Sequence, residues 1–462
     1  MARVLLVSYH FPPSGAIGVP RALAYVRYLR LHDCHVSVLT ASMPQTPAYD
    51  PELCKSIPSE VRVHRAWNPE FPFALRDQIW KRLTPRHGVS LKAQGSSPPR
   101  TVEADQDRLS WVTARIRSLA QRLLFPDPQV TWVPFAVRKA VRVINSEKID
   151  TVILSAPPYS TLKIGIALGQ RFPQLKIITD FRDEWLDYYL VQIDDPTPRK
   201  VQLAKALECE AVKASSYVTT VTQEWMRRLH RRYSDEQKDK FIYTPNGYEP
   251  KMFIDFRPRG RADAKMLVTY FGSVHMNRVY SPKNYLDALE TLPADVRDRI
   301  ETRFIGRVRP DAQACLQQTK AIVRQLGFMP MAKGLRYLEE TDFLLLIASD
   351  ATSHAGKLFD YFATAKPILA LTPPDGEIAK LLQETRTGWC VDPWDVGAIR
   401  EMLLQTFNRF KAGETLTEPN WDAIRTYSWP AIFANFVARV DIATVKRESD
   451  KVEVSAKRSS TS

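Results

Sequence analysis

No stretch of this 462-residue chain approaches the roughly 20 apolar residues that a membrane-spanning helix requires. The run Phe343–Ala348 (FLLLIA) is too short for that and suits a buried strand. Cysteine is scarce: Cys34, Cys54, Cys209, Cys315 and Cys390 lie far apart with no CxxC. So odd and scattered a set argues against a disulfide framework and fits a reducing, cytoplasmic compartment. The eight histidines show neither HxxxH nor HExxH spacing, so no zinc site is legible. GxGxxG, GxSxG and the P-loop are also missing. The one Asp-x-Asp, Asp105–Asp107, lies in a polar stretch and reads as solvated charge, so no metal and no other cofactor is expected. The chain start, MARVLLVSYHFPPSGAIGVPRALAYVRYL, interrupts its short apolar run at Ser8, His10 and Pro12-Pro13. That pattern fits strand, loop and helix and not a secretory leader.

What is present is a balanced globular composition, 44% hydrophobic and 25% charged, with a formal charge of +14. Such a balance favours polyanions, whether nucleic acid, an anionic membrane surface or phosphate-bearing substrates. The length predicts two domains. Short β-rich runs alternate with helical patterns from Met1 to about Tyr243, and the alternation restarts at Met266 after the polar stretch RPRGRADAK (257–265). This predicts α/β architecture: two tandem Rossmann-like doubly wound domains facing a cleft, residues 1–256 and 266–415. Residues 416–446 are expected to form a helical segment crossing back to the first domain, and 447–462 a disordered tail. An insertion at about 66–129 breaks the rhythm. Within it, Ser110–Leu124 patterns as a basic amphipathic helix, either packed on the domain or lying on a membrane surface.

Several short segments carry chemistry. Between the first strand and helix, PPSGAIGVPR contains Gly15 and Gly18, which let backbone N–H groups approach an anion at a helix start. IITDFRDEW (177–185) crowds charges at the end of a buried strand and makes Arg182 and Asp183 the candidate catalytic pair. The alternative is an internal Arg–Asp pair that shapes the loop. TPNGYE (244–249) places Asn246 in a turn at the domain junction. YFGSVHMNRVYSPKNYLDAL (270–289) supplies Gly272, Ser273, Arg278 and Lys283. SDATSHAGKLFDYFATAKPILAL (349–371) opens a helix at Gly356, Lys357 and Leu358, directly after a strand. Free N–H groups and an ammonium there suit a diphosphate, and Asp360, one turn on, suits the hydroxyls of a ribose. A plain i,i+3 salt bridge between Lys357 and Asp360 is the competing reading.

Taken in order, these pieces resemble the family 4 glycosyltransferases of the GT-B fold: SYHFPPSGAIGVPR, SAPPYS, DFRDEW, PNGYEPKMF, YFGSV…PKNYLDAL and GKLFDYFATAKPILAL. The resemblance spans Val4 to about Leu404. It implies retaining transfer of a sugar from a nucleotide-sugar donor without a metal ion. The acceptor, a glycan or lipid-linked molecule, would lie in the first domain and the donor in the second. By this resemblance Lys283 matches the family lysine, and Asp360 matches the second glutamate of the paired motif, with Thr352 at the first. Ser273 stands where many members have arginine, with Arg278 nearby. Arg182-Asp183 stands where many have histidine, as in a subgroup with RD-W motifs. The implied setting is cell-surface polysaccharide or glycoconjugate synthesis, peripheral at the cytoplasmic face of the membrane, with no nucleic acid bound. Rival readings are a nucleotide-sugar epimerase on a similar scaffold and a basic nucleic-acid-binding or scaffolding protein.

Overall fold

The computed structural model describes residues 1–44, 49–69, 124–187, 197–258, 265–276, 279–352 and 354–442. The basic stretch 110–124 apart from Leu124, the Asp105–Asp107 pair, Arg278 and the tail 447–462 lie outside them. Among the described residues no helix is long and apolar enough to cross a membrane.

The first sheet contains β1 (Ala2–Ser8), β2 (Cys34–Ala41), β3 (Arg62–Ala66), β4 (Thr151–Ala156), β5 (Lys176–Phe181), β6 (Tyr217–Thr220) and β7 (Phe241–Tyr243). Its order is β3-β2-β1-β4-β5-β6-β7, and the pairs β2–β3, β1–β2, β1–β4 and β4–β5 are parallel. Helices α1 (Val19–Arg30), α2 (Val133–Glu147), α3 (Thr161–Arg171), α4 (Pro198–Ala214) and α5 (Gln223–Arg232) accompany it. Every residue of β4 is buried, as expected when helices cover both faces of a parallel sheet.

The second sheet contains β8 (Met266–Phe271), β9 (Ile300–Ile305), β10 (Ile322–Gly327), β11 (Phe343–Ile347), β12 (Ile368–Leu371) and β13 (Gly388–Val391), in the order β10-β9-β8-β11-β12-β13. Its helices are α6 (Lys283–Glu290), α7 (Ala294–Arg297), α8 (Pro310–Gln318), α9 (Met331–Glu340), α10 (Lys357–Thr364), α11 (Glu377–Thr385) and α12 (Val396–Lys411), followed by α13 (Trp421–Thr426) and α14 (Trp429–Val440). Alternation along β11 explains its apolar run. Phe343, Leu345 and Ile347 join one core cluster with Tyr270 and Phe304; Leu344 and Leu346 join another with Leu358, Phe359 and Phe362. The sheet is therefore covered on both faces.

The compact units divide at Val218/Thr219, with residues 440–442 returning to the first unit. This is earlier than the expected boundary at 256/257, and the segment 244–256 accounts for part of the difference. Tyr248 donates its N–H to the Tyr427 carbonyl (3.1 Å) and accepts from Trp429 N (3.0 Å), so this segment packs with α13 and α14 inside the second unit. The chain rejoins the first unit only from Val440, not from 416. There Lys176 Nζ donates to the carbonyls of Val440 (3.1 Å) and Asp441 (2.7 Å). Elements α2, α7, α8 and β10 add to the expected set. β10 is an edge strand whose Arg324 and Gln325 face solvent, so it carries no apolar alternation.

Candidate functional site

In an open α/β sheet, ligands bind outside the carboxyl ends of the strands, where the strand order reverses. The reversal falls between β1 and β4 in the first sheet and between β8 and β11 in the second.

At the second reversal, β8 and β11 pair only at Val268↔Phe343 and Thr269↔Leu344, then part. The Tyr361 side chain of α10 fills the gap: Phe271 N–H donates to its hydroxyl (2.8 Å), which in turn faces the Leu345 carbonyl (3.3 Å). That contact seats the start of α10 at the crevice, and no side chain caps its N-terminus. Lys357, its first residue, holds its ammonium 3.4 Å from the centroid of the Tyr270 ring. The Tyr270 hydroxyl donates to the Ser273 carbonyl (3.0 Å), tying the same ring to the loop after β8.

Glycine is needed beside this ammonium. Gly272 has φ +150°, and a Cβ on it would lie 3.1 Å from Lys357 Nζ. A Cβ on Gly306, φ +148° at the end of β9, would lie 2.1 Å from the Gly272 carbonyl oxygen. Substitution at either position is strained. Burial pushes the Lys357 ammonium well below its usual range. His275 is likewise held low, by burial and then by the positive charges of Arg309 and Lys357. Lys357 forms no ion pair among the described residues. In particular it does not bond Asp360, so the i,i+3 bridge weighed from the sequence is absent. Asp360 is half-buried, and burial raises its carboxyl to about 7.

The remaining donor-site expectations divide. Gly272, Ser273, Gly356 and Lys357 are gathered around the crevice, with Ser273 and Gly356 exposed. Leu358 is in the core, so its side chain is a packing element and not a ligand contact. Lys283 does not join Lys357: it is exposed, ion-paired to Asp287 on its own helix, and surrounded by Glu290 and Cys315. Asn246 belongs to the loop that packs with α13 and α14.

At the first reversal, β1 and β4 stay paired to Ser8↔Ser155. Arg21 of α1 makes a bidentate ion pair with Asp180 of β5 (2.9 and 2.7 Å), with both side chains buried. The pair is not the one internal to 177–185 weighed from the sequence: its arginine lies 159 residues away on another element. Arg182 takes a different course. Its N–H donates to the Ala156 carbonyl (2.8 Å), its Nη2 to the Pro157 carbonyl, and its Nη1 lies 1.5 Å from where a Cβ on Gly18 would be. Asp183 is exposed, and its carbonyl accepts from the Tyr159 hydroxyl (3.0 Å); Tyr159 stacks on Trp185 at 4.5 Å. His10 approaches Ser14 Oγ through Nδ1 (3.3 Å), and burial followed by the Arg182 charge lowers it to about 4. Gly15, next to Ser14, is half-buried. The sequence reading missed Arg21, His10, Tyr270, His275 and Arg309. Placement just after β1, β8 and β9 could have flagged His10, His275 and Arg309; nothing in the pattern marks Arg21 within α1 or Tyr270 within β8. No cluster of three or more His, Cys, Asp or Glu side chains fit for a metal occurs among the described residues.

No family model and no curated protein matches the chain. Solved structures do. A sucrose-phosphate synthase from Thermosynechococcus elongatus aligns with 95% of this chain and 98% of its own at TM-score 0.61 and 14% identity. HepE of Anabaena, solved in complex with UDP, aligns with 98% of this chain and 100% of its own at TM-score 0.53 and 11% identity. A protein assigned as a UDP-N-acetylglucosamine 2-epimerase from Listeria monocytogenes covers 95% of each chain at TM-score 0.51 and 11% identity. At such identities the likeness establishes the fold: two parallel-sheet α/β domains of the GT-B class.

Proposed function

We propose that this chain is a glycosyltransferase that uses a nucleotide sugar, a UDP-sugar first among the candidates, with the donor held by the second unit and the acceptor by the first. The observation that carries this reading is the Lys357 ammonium. It sits on a half-buried side chain over an aromatic face at the crevice, beside an uncapped helix start, with no counter-ion among the described residues. A buried cation without a partner is costly, and a diphosphate arriving there supplies the missing charge. Lys357 and the α10 amides then stabilise the charge that develops on the leaving diphosphate. In this reading Asp360, one turn into α10, accepts from ribose hydroxyls. Support for the UDP choice comes from HepE, whose structure was solved in complex with UDP. Retaining stereochemistry, independence of metal, a glycan or lipid-linked acceptor, and peripheral work at a membrane face are parts of the proposal that rest on the family 4 resemblance.

Titration with UDP by calorimetry tests it. Lys357→Ala is expected to weaken UDP at least tenfold, about 1.4 kcal/mol, with an unchanged circular dichroism spectrum. Equal affinity in Lys357→Ala, Asp360→Ala and the wild type rejects the site. The epimerase neighbour motivates a second reading, separable by product. An epimerase converts the sugar nucleotide without an acceptor, whereas a transferase releases UDP.

A further inference from the structure

Two arginines meet near the first reversal, and only one is neutralised. Asp180 gives both carboxylate oxygens to Arg21. Arg182 leaves the end of β5, passes the β4–α3 turn at Pro157 and reaches the β1–α1 loop at Gly18, so its guanidinium lies across the crevice. It makes no ion pair among the described residues. Its Nε is buried with no hydrogen-bond partner, while the side chain as a whole is only half-buried. The Asp183 and Asp180 carboxylates favour its charged form, but Asp180 is bonded to Arg21 and neither makes an ion pair with Arg182 among the described residues. His10 is held neutral at ordinary pH, and desolvation pulls the guanidinium itself below its usual range.

A guanidinium held in this way matches a phosphate or carboxylate, whose oxygens accept from its planar fork. A neutral hydroxyl would leave the charge uncompensated. The contact with Gly18 is as informative as the missing partner. A side chain there would occupy the position of Nη1, so glycine at 18 is what lets the guanidinium lie against this loop.

We propose that Arg182 is the anion-recognition group of the first unit, and that the acceptor carries a phosphate or carboxylate near its reacting end. The acceptor assignment rests on the transferase reading above; the anion site itself does not.

The experiment is calorimetric titration with inorganic phosphate in the presence of saturating UDP, which occupies the other anion site. Wild type is expected to bind phosphate, and Arg182→Gln to bind it at least tenfold more weakly with UDP affinity unchanged. That unchanged UDP affinity also certifies the fold. Arg182→Lys, which keeps the charge but not the planar fork, is the second variant and is expected to bind phosphate more weakly than wild type and more tightly than Arg182→Gln. Glucose 6-phosphate, glucuronate and glucose are then compared as probes. A preference of tenfold or more for the first over glucose assigns phosphate, and the same preference for the second assigns carboxylate. Phosphate affinity equal in wild type and Arg182→Gln overturns the proposal, as does equal binding of all three sugars. If UDP does not bind wild type, the donor reading falls while phosphate titration without UDP still decides on Arg182.

Discussion

The two strand-order reversals solve one problem with different parts. Each sets a cationic side chain against a glycine: Arg182 on Gly18 in the first sheet, Lys357 on Gly272 in the second. In the first, β1 and β4 remain paired to their ends, and the cation arrives from the neighbouring strand β5 beside a buried Arg21–Asp180 pair. In the second, β8 and β11 part early, and the cation rides on the helix inserted between them. The comparison teaches that the doubly wound frame fixes where a charge is placed but not which kind. A planar fork fastened by backbone carbonyls discriminates by shape. A point charge over an aromatic ring discriminates chiefly by sign.

The sharpest way to break this comparison is to remove the fully buried ion pair beside the first reversal. Asp180→Ala leaves Arg21 buried without a counter-ion and is expected to cost about 3–5 kcal/mol in denaturant unfolding. The double change Arg21→Met with Asp180→Leu should cost far less than that. Next in size is Lys357→Ala. Because it deletes a buried, unpaired charge, the unfolding midpoint should hold or rise while UDP affinity falls at least tenfold, the opposite of the Asp180 result.

A smaller effect follows from Asp360. Its folded pKa is raised to about 7, above the unfolded value, so the folded state holds the proton more tightly. Stability should therefore be greatest near pH 4 and decline as pH rises through 7. Asp360→Asn should remove that part of the pH dependence, and a stability profile equally steep in both proteins would contradict the assignment. Smallest is Tyr270→Phe, which loses the bond to the Ser273 carbonyl, about 1 kcal/mol, yet keeps the ring under Lys357 and hence the UDP affinity. Tyr270→Leu removes the ring face and should weaken UDP severalfold.

Much of the frame was legible because parallel strands buried on both faces announce themselves as short apolar runs. β5, Lys176–Phe181, and β8, Met266–Phe271, are runs of this kind, and β8 begins where the alternation restarts in the sequence. β10 escaped because an edge strand needs no such run. Lys357 and Gly272 could be placed from their positions after β11 and β8. The partners that give them meaning could not: Tyr270 looks like any strand aromatic, and Arg21 finds Asp180 only once the chain has folded. Lys283 opens its helix as the pattern suggests, and its i,i+4 pairing with Asp287 becomes visible only in the fold. Leu358 was credited by adjacency alone and proves to be core.

The Tyr361 hydroxyl stands where two strands have ceased to bond one another, and it meets the orphaned amide of one and the carbonyl of the other. Helix and sheet are thereby riveted together before any guest arrives. The residues on the first turn of that helix need no ordering on arrival, so little entropy is lost there on association. Tyr361→Phe should loosen the mount, and the penalty should surface as a slower association rate with the guest while its final contacts stay the same.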